Sequence, residues 1–205
     1  PPVLKAMLLL GVNCGFGNTD ISSLPLSALA LDLNGGWVTF PRVKSGIKRV
    51  VPLWPETVDA LRVAIPLRPA PKDPVDAGLC FLTERGTRWV RIQKSAKHIA
   101  AAKQAGKDES SVGKFVTINA LARRFELLVE ELKLPKRKGV GFYSLRHVFE
   151  TIGGDCEDQV AVDHCMGHVD PGMGANYRHR ISDARLRKVV NSVHQWLYGK
   201  PAETR

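Results

Sequence analysis

The chain has 205 residues, 44% of them apolar, which is enough to bury one core of its own, and we assign residues 1–205 to a single domain. Its formal net charge of +10 favours a polyanionic partner, nucleic acid first, although a basic protein need not bind one. No apolar run reaches the roughly 18 residues of a membrane-spanning helix. The four cysteines lack close pairs and a preceding signal peptide, so we expect reduced thiols and a cytoplasmic location rather than a secreted, disulfide-rich protein.

The first predicted element is a buried helix over residues 3–12, where the sequence is apolar on almost every face. Residues 13–18 end this helix, because two glycines there permit backbone angles outside the helical region. Either Asn18 or Thr19 then suits the N-cap of a second, short helix.

Two strand regions are predicted next, over residues 31–40 and 43–53. The sequence Asn34-Gly35-Gly36 predicts a turn inside the first region, which therefore folds back on itself as a hairpin. Residues 42–53 follow as a second hairpin with a basic tip. Residues 55–63 then predict an amphipathic helix, with proline in its first turn.

The middle of the chain is harder to assign. Residues 66–74 carry four prolines and predict a loop, and residues 78–82 predict a short buried strand. Residues 83–114 are basic, with Trp89 among the charges, and either lie along a DNA backbone or form a solvated helix and loop. Residues 106–113 have the composition of a loop.

The last part of the chain is predicted to be helical. Residues 115–134 form a well-patterned helix, with Thr117 or Asn119 as its N-cap and Pro135 beyond its end. Residues 141–151 are predicted to be a loop that enters a helix, and two further helices are predicted over residues 158–166 and 181–197. Together the elements predict an α+β fold that is mainly α-helical, with a small antiparallel β-sheet.

Side chains suited to phosphodiester chemistry cluster in this helical part. Tyr143 and Arg146 are three residues apart, hence on one face of a helical turn; His168 follows Gly167; and Tyr177 comes nine residues later. Arginine offers a planar fork of donors to phosphate oxygens, histidine exchanges protons near neutral pH, and tyrosine is an oxygen nucleophile. Taken singly, each also has an ordinary structural interpretation, such as a capping arginine or a buried histidine.

The same region offers a metal-binding alternative. His164 and His168 are four residues apart with Cys156 and Cys165 nearby, and two histidines at that spacing on one helix face can bind zinc. However, Gly167 is predicted to end the helix before His168, and no glutamate follows the first histidine. We therefore predict no metal site.

The order and spacing of these residues resemble the catalytic domain of the tyrosine recombinases, the phage-integrase family. The family pattern of His-x-x-Arg, Gly-His and a late Tyr falls on Arg146, His168 and Tyr177, with Tyr143 where the family usually has histidine. The resemblance covers about residues 3–198.

Two earlier segments extend the resemblance. The second hairpin is similar to the family's Lys-x-Gly-x-x-Arg-x-Val-Pro-Leu hairpin, which places Lys44 at its catalytic lysine. Residues 14–20 resemble the family's Thr-Gly-Leu-Arg-x-x-Glu segment, with Asp20 in place of the final glutamate. The family's first catalytic arginine falls on Gly17, which can contact a phosphate only through its backbone N–H.

The resemblance implies strand cleavage through a 3′-phosphotyrosine. Tyr177 would attack the phosphorus, Arg146 would stabilise the charge that grows on the non-bridging oxygens, and His168 would hydrogen-bond the same phosphate. Lys44 would protonate the departing 5′-oxygen, and Tyr143 would orient the phosphate or the nucleophile. We expect these five side chains to converge on one basic concave face.

The resemblance also implies the partners. We expect double-stranded DNA, self-association on DNA and a nucleoid-associated location, with no membrane and no small-molecule substrate. No metal or nucleotide cofactor is expected, since the tyrosyl link stores the ester energy. The residues expected to contact DNA are Arg42, Lys48, Arg137 and Lys138. The family's amino-terminal core-binding domain and first catalytic-domain helix are expected to lie outside this chain, and residues 199–205 to form a tail.

Two functions stay open at this point. The first is an active site-specific recombinase or integrase, in which another cation such as Arg42 compensates for Gly17. The second is a DNA-binding relative that keeps the fold and has lost cleavage. A topoisomerase-like activity, which uses the same chemistry without pairing two DNA sites, is a third and weaker alternative.

Overall fold

The computed structural model describes residues 1–31, 35–104, 115–168 and 181–199. Within these ranges short strands are interspersed among helices along the chain. The helices are α1 (Pro2–Cys14), α2 (Asn18–Ser23), α3 (Pro55–Ala64), α4 (Ala96–Gln104), α5 (Ala120–Glu131), α6 (Ser144–Gly154), α7 (Gln159–Met166) and α8 (Asp183–Tyr198). The strands are β1 (Leu29–Ala30), β2 (Trp37–Thr39), β3 (Val50–Pro52), β4 (Val90–Lys94) and β5 (Phe115–Asn119).

Helix α1 is the centre of the core. It contacts α3, α6 and α8, and it buries residues along its whole length because almost none of its side chains is polar. Leu4, Met7 and Leu10 are 2% exposed or less, and the facing side of α8 buries Val189 and Val193. The helices predicted over residues 3–12, 55–63, 158–166 and 181–197 are thus confirmed as α1, α3, α7 and α8. The loop entering a helix at residues 141–151 is also confirmed, since α6 begins at Ser144.

The strands form two separate antiparallel sheets. In the first, β2 lies between β1 and β3, with Val38 opposite both Leu29 and Val51. The second pairs β4 with β5 from Val90 opposite Asn119 to Lys94 opposite Phe115. The sequence predicted the first sheet, with longer strands than the structure has, and did not predict the second.

The second sheet corrects the helix predicted over residues 115–134. Its first five residues are strand β5, because the Phe-Val-Thr-Ile-Asn segment is rich in β-branched residues and finds a partner in β4. Helix α5 begins only after Asn119, whose Oδ1 accepts a hydrogen bond from Ala122 N at 2.9 Å. Asn119 is therefore confirmed as the N-cap, and the predicted loop at residues 106–113 lies outside the described residues.

Two smaller predictions were also wrong. Residues 78–82 are not a strand: in the described part of the chain they make one isolated bridge, Leu79 to Pro25. Backbone hydrogen bonds to Leu24 and Leu26, at 2.8 Å each, and burial of residues 79–82 hold the segment. The N-cap of α2 is Gly17 rather than Asn18 or Thr19, because the Asp20 carboxylate accepts a hydrogen bond from Gly17 N at 3.0 Å. Among the helices of the described ranges, none is long and apolar enough to cross a membrane.

Candidate functional site

Arg146 lies in the first turns of α6, is only 2% exposed, and joins three parts of the fold. Its Nη1 donates to the carbonyl oxygen of Gly15 at 2.6 Å, and its Nη2 donates to that of Met166 at 2.8 Å. The same Nη2 lies 3.0 Å from Nε2 of His168. The guanidinium is therefore held rigidly between the ends of α1 and α7, and we call Arg146 and His168 the arginine–histidine centre.

Two glycines with left-handed backbone angles end the helices whose carbonyl groups accept hydrogen bonds from Arg146. Gly15 ends α1 with φ 63°, and Gly167 ends α7 with φ 64°, a conformation that favours glycine. A Cβ on Gly15 would lie 2.6 Å from Met166 Sδ, and one on Gly167 would lie 2.8 Å from Arg42 Cβ. Backbone angle and close packing thus both select glycine on either side of the centre.

His168 has partners on both ring nitrogens. Its Nδ1 lies 3.2 Å from the Asp163 carboxylate, and its backbone N–H donates to the Asp163 carbonyl at 2.9 Å. Because a carboxylate only accepts, Nδ1 carries the proton, and Nε2 is free to accept from Arg146 Nη2. To donate a hydrogen bond to a phosphate through Nε2, the ring must take up a second proton or exchange its tautomer.

The β2–β3 hairpin packs directly against the end of α7. Ser45 Oγ donates to the Gly167 carbonyl at 3.0 Å, and Val43 N donates to the Asp20 carboxylate at 3.3 Å. We call residues 42–48 the hairpin tip. It carries Arg42, which is partly exposed, together with Lys44 and Lys48, which are exposed. The structure therefore brings the predicted lysine hairpin beside the residue that precedes His168.

Arg49 is a buried part of the site that the sequence reasoning missed. It is fully buried, donates through Nε to Phe40 O at 3.0 Å and through Nη2 to Asp20 at 3.0 Å, and lies 4.3 Å above the Phe16 ring. Its Nη1 has no acceptor among the described residues. The arginine of the hairpin pattern Lys-x-Gly-x-x-Arg is this residue, and that match was the signal that could have found it.

Positive charge is concentrated around the centre. Burial lowers the pKa of Arg146 from its ordinary value, the charge of Arg42 lowers it further, and Tyr143 acts in the opposite direction. Burial also lowers the pKa of Arg49, and Asp20 opposes that shift. Since arginine stays protonated in proteins, Arg42, Arg49 and Arg146 balance the carboxylates of Asp20, Asp163 and Glu150. The exposed Lys44 and Lys48 of the hairpin tip then give the site an excess of positive charge, which favours an anion.

Tyr143 stands at the start of α6, one turn before Arg146. It is 45% exposed, and its ring meets the His147 ring edge-on with centroids 5.2 Å apart. A Cβ added to Gly17 would lie 3.0 Å from its Cε2 atom. The two departures from the recombinase pattern, Gly17 and Tyr143, are therefore neighbours in space.

The other predicted site residues lie less close to the centre or outside the described ranges. Arg137 and Lys138 are exposed in the loop before α6, and no contact joins them to Arg146 within the part of the chain that the structure describes. Tyr177 lies outside the described residues. Of the five side chains expected to converge, Arg146 and His168 are in contact, and Tyr143 lies one helical turn before Arg146.

Burial dominates the surroundings of the cysteines and of His164. All four cysteines are free and buried, and burial raises the pKa of the Cys80 and Cys165 thiols to about 12. Burial, followed by the charge of Lys48, lowers the pKa of His164. Over the described ranges no group of three or more His, Cys, Asp or Glu residues could hold a metal ion.

No protein-family model matches the sequence, and no curated protein matches it. Solved structures do match by fold. XerA recombinase is 18% identical with a TM-score of 0.54, over 98% of this chain and 60% of that one. XerH site-specific recombinase, bound to its difH substrate in a pre-cleavage complex, is 17% identical with a TM-score of 0.55, over 91% of this chain and 46% of that one.

A third match is the Tn1549 transposon integrase in complex with circular intermediate DNA, which is 16% identical with a TM-score of 0.51, over 89% of this chain and 55% of that one. The chain spans about half the length of these solved structures. At such identities the likeness establishes the fold. The chain has the α+β, mainly helical fold of the tyrosine-recombinase catalytic domain.

Proposed function

We propose that the protein cuts and rejoins DNA strands as a tyrosine-type recombinase or integrase. The observation that carries the proposal is the contact between Arg146 and His168, made on this fold and beside further buried positive charge. Arg146 and His168 are held together by a hydrogen bond of 3.0 Å, so an anion that contacts one of them lies within reach of the other.

The scissile phosphate of duplex DNA would bind at the arginine–histidine centre. Arg146 uses three of its five N–H groups on protein acceptors in the described part of the chain, which leaves donors for non-bridging phosphate oxygens. Its fixed position lets it stabilise growing negative charge without reorganisation. Lys48, Arg137 and Lys138 would contact the flanking backbone and add salt-sensitive, sequence-independent affinity.

Cleavage would be a transesterification. The Tyr177 hydroxyl oxygen bonds to phosphorus, the bond from phosphorus to the 5′-oxygen breaks, and the 3′ end is left on tyrosine. Lys44 donates the proton that the departing 5′-oxygen takes up, while the tyrosine proton passes to a base or to water. Attack by a 5′-hydroxyl of another strand reverses the step, so no external energy source is required.

Self-association on DNA belongs to the same proposal, because exchanging strands requires two duplexes held together. Helix α8 packs on its own chain, where Trp54 Nε1 donates to Val190 O at 3.0 Å. Trp196, Leu197 and Tyr198 at its end are 42–54% exposed. A nucleoid-associated, cytoplasmic location would follow from action on chromosomal or mobile DNA.

The absence of an arginine at Gly17 favours a second candidate, a DNA-binding relative that no longer cleaves. Loss of one preorganised hydrogen-bond donor typically lowers the catalytic rate about 10²–10³-fold, and loss of a charged guanidinium group lowers it more. A supercoil-relaxation assay separates both candidates from a topoisomerase-like activity.

Covalent trapping tests the proposal. Binding to a random duplex library first selects a target, and a nicked suicide duplex of that sequence then lets the cut strand diffuse away and leaves the adduct. We expect an adduct with the wild type and none with Tyr177→Phe at equal DNA affinity. DNA binding without an adduct supports the impaired relative, and absence of salt-sensitive duplex binding contradicts both.

A further inference from the structure

At position 17 the Tyr143 ring, rather than the backbone conformation, restricts the space for a side chain. The backbone there has φ −86° and ψ 175°, extended angles that any residue adopts. A Cβ at Gly17, however, would lie 3.0 Å from Tyr143 Cε2 and 3.2 Å from Cδ2. A side chain at position 17 would therefore require the Tyr143 ring to shift by a few tenths of an ångström.

Arg42 approaches the same centre from the hairpin tip. Its Cβ would be 2.8 Å from a Cβ on Gly167, and the next residue, His168, contacts Arg146. Its backbone is fixed, because its N–H donates to Ile47 O at 2.8 Å and its carbonyl accepts from Gly46 N at 2.7 Å. The base of the side chain is thus positioned while its end is not.

The guanidinium of Arg42 differs from the two others nearby in having no acceptor among the described residues. Arg49 is bound to Asp20, and Arg146 is bound to two carbonyls. Arg42 is partly exposed and close enough to lower the pKa of both Arg146 and Arg49. A cation without an acceptor, held beside two other cations, is stabilised when an anion binds between them.

We propose that Arg42 supplies, from the hairpin, the second guanidinium of the phosphate site that position 17 does not carry. This inference rests on the proposed DNA-strand cleavage. On binding, the Arg42 N–H groups donate to a non-bridging phosphate oxygen that Arg146 does not reach. Tyr143 lies against the backbone of Gly17, where the missing side chain would begin.

Arg49 is the other cation with an unpaired donor, but it cannot take this role. It is fully buried, and its Nε and Nη2 are held by Phe40 O and Asp20. A DNA phosphate would reach its Nη1 only after the hairpin separated from α2. Arg49 therefore supports the hairpin, and Arg42 makes the contact.

The test measures single-turnover cleavage of the suicide duplex by Arg42→Ala and Arg42→Lys. Arg123→Ala is the matched control, because it removes one arginine from the exposed face of α5, where Arg123 pairs with Glu126. We expect Arg42→Ala to cleave about 10²–10³-fold more slowly, with a smaller loss for Arg42→Lys and none for the control. Adding Gly17→Arg together with Tyr143→His to Arg42→Ala should restore cleavage, whereas adding Gly17→Arg alone should restore less.

The salt dependence of duplex binding provides a second measurement that needs no cleavage. Loss of one phosphate contact lowers the slope of log K against log salt by about 0.9. A lower slope in Arg42→Ala, with an unchanged slope in Arg123→Ala, supports a contact between Arg42 and a DNA phosphate. This result holds even if the wild type forms no covalent adduct. In that case only the proposed strand cleavage is contradicted. An Arg42→Ala protein that keeps wild-type cleavage or slope, or a folded triple variant no faster than Arg42→Ala, overturns the inference.

Discussion

The arginine–histidine centre and the hairpin tip lie on either side of Gly167, yet they are built differently. Arg146 is 2% exposed and makes three polar contacts, whereas Lys44 and Lys48 at the tip are exposed. One half of the site is therefore fixed before any ligand arrives. The other half must lose side-chain freedom on binding, so its contribution depends on the ligand.

The difference predicts how substitutions divide between stability and function. Changes in the centre should lower the free energy of unfolding as well as DNA cleavage. Changes to the exposed lysines of the tip should leave the free energy of unfolding almost unaltered. The predictions below run from the largest expected loss of stability to the smallest.

Arg146→Ala should cause the largest loss, about 3 kcal/mol of unfolding free energy, because the Gly15 and Met166 carbonyls would be buried without a donor. Arg146→Lys keeps the charge but cannot bridge both carbonyls, so we expect an intermediate loss. Urea denaturation followed by circular dichroism measures both. Wild-type stability in Arg146→Ala would show that the guanidinium is not the bridge described here.

Gly167→Ala should cost about 2 kcal/mol, since the left-handed backbone is strained for alanine and the new Cβ meets Arg42 and Arg49. Gly154→Ala is the control: it lies in α6, no described atom beyond its neighbours in that helix is within 4 Å of its Cβ position, and we expect it to stabilise slightly. Equal effects of the two substitutions on the thermal midpoint would contradict the packing of the tip on Gly167.

Helix α7 could be predicted from the sequence because residues typical of helix caps stand at both of its ends. Asp158 accepts from Ala161 N at 3.1 Å as the N-cap, and Gly167 has the left-handed angle expected of a helix-ending glycine. The second sheet could not be predicted in that way. Strands β4 and β5 pair across residues 95–114, and that pairing is a contact between distant segments that no local pattern reveals.

In the candidate site, too, local sequence patterns could be interpreted, whereas contacts between distant segments could not be predicted. Motif spacing identified Arg146 and His168, which the structure places 3.0 Å apart. The contact between Gly17 and Tyr143 was not foreseen, because it joins residues 126 positions apart through the packing of α6 on α1. Burial of Arg49 was missed for the same reason, since an arginine in a basic hairpin is ordinarily solvated.

Arg185→Ala should cost about 1 kcal/mol. Arg185 binds both carboxylate oxygens of Asp158, at 2.7 and 2.6 Å, and its half-exposed position limits the gain. The hydrogen bond from Arg185 lowers the pKa of Asp158, so the stabilisation is complete above the unfolded value of about 4 and is lost as pH falls through the folded value. Urea denaturation from pH 7 to pH 3 checks this. A difference between wild type and variant that grows on acidification would contradict the pairing.

Lys44→Ala should leave the free energy of unfolding within about 0.5 kcal/mol of the wild type, since the side chain is exposed. If Lys44 is the general acid, cleavage should nonetheless fall about 10²–10⁴-fold. The combination of unchanged stability and lost cleavage is the signature expected of the tip. A variant that cleaves at the wild-type rate removes Lys44 from the mechanism.

The most direct test of strand cleavage is to digest the trapped DNA adduct with protease and nuclease and to map the nucleotide-bearing peptide by mass spectrometry. The proposed mechanism predicts a nucleotide joined through its 3′-phosphate to Tyr177. A nucleotide joined to any other residue, or no adduct from protein that binds the same duplex, would contradict it.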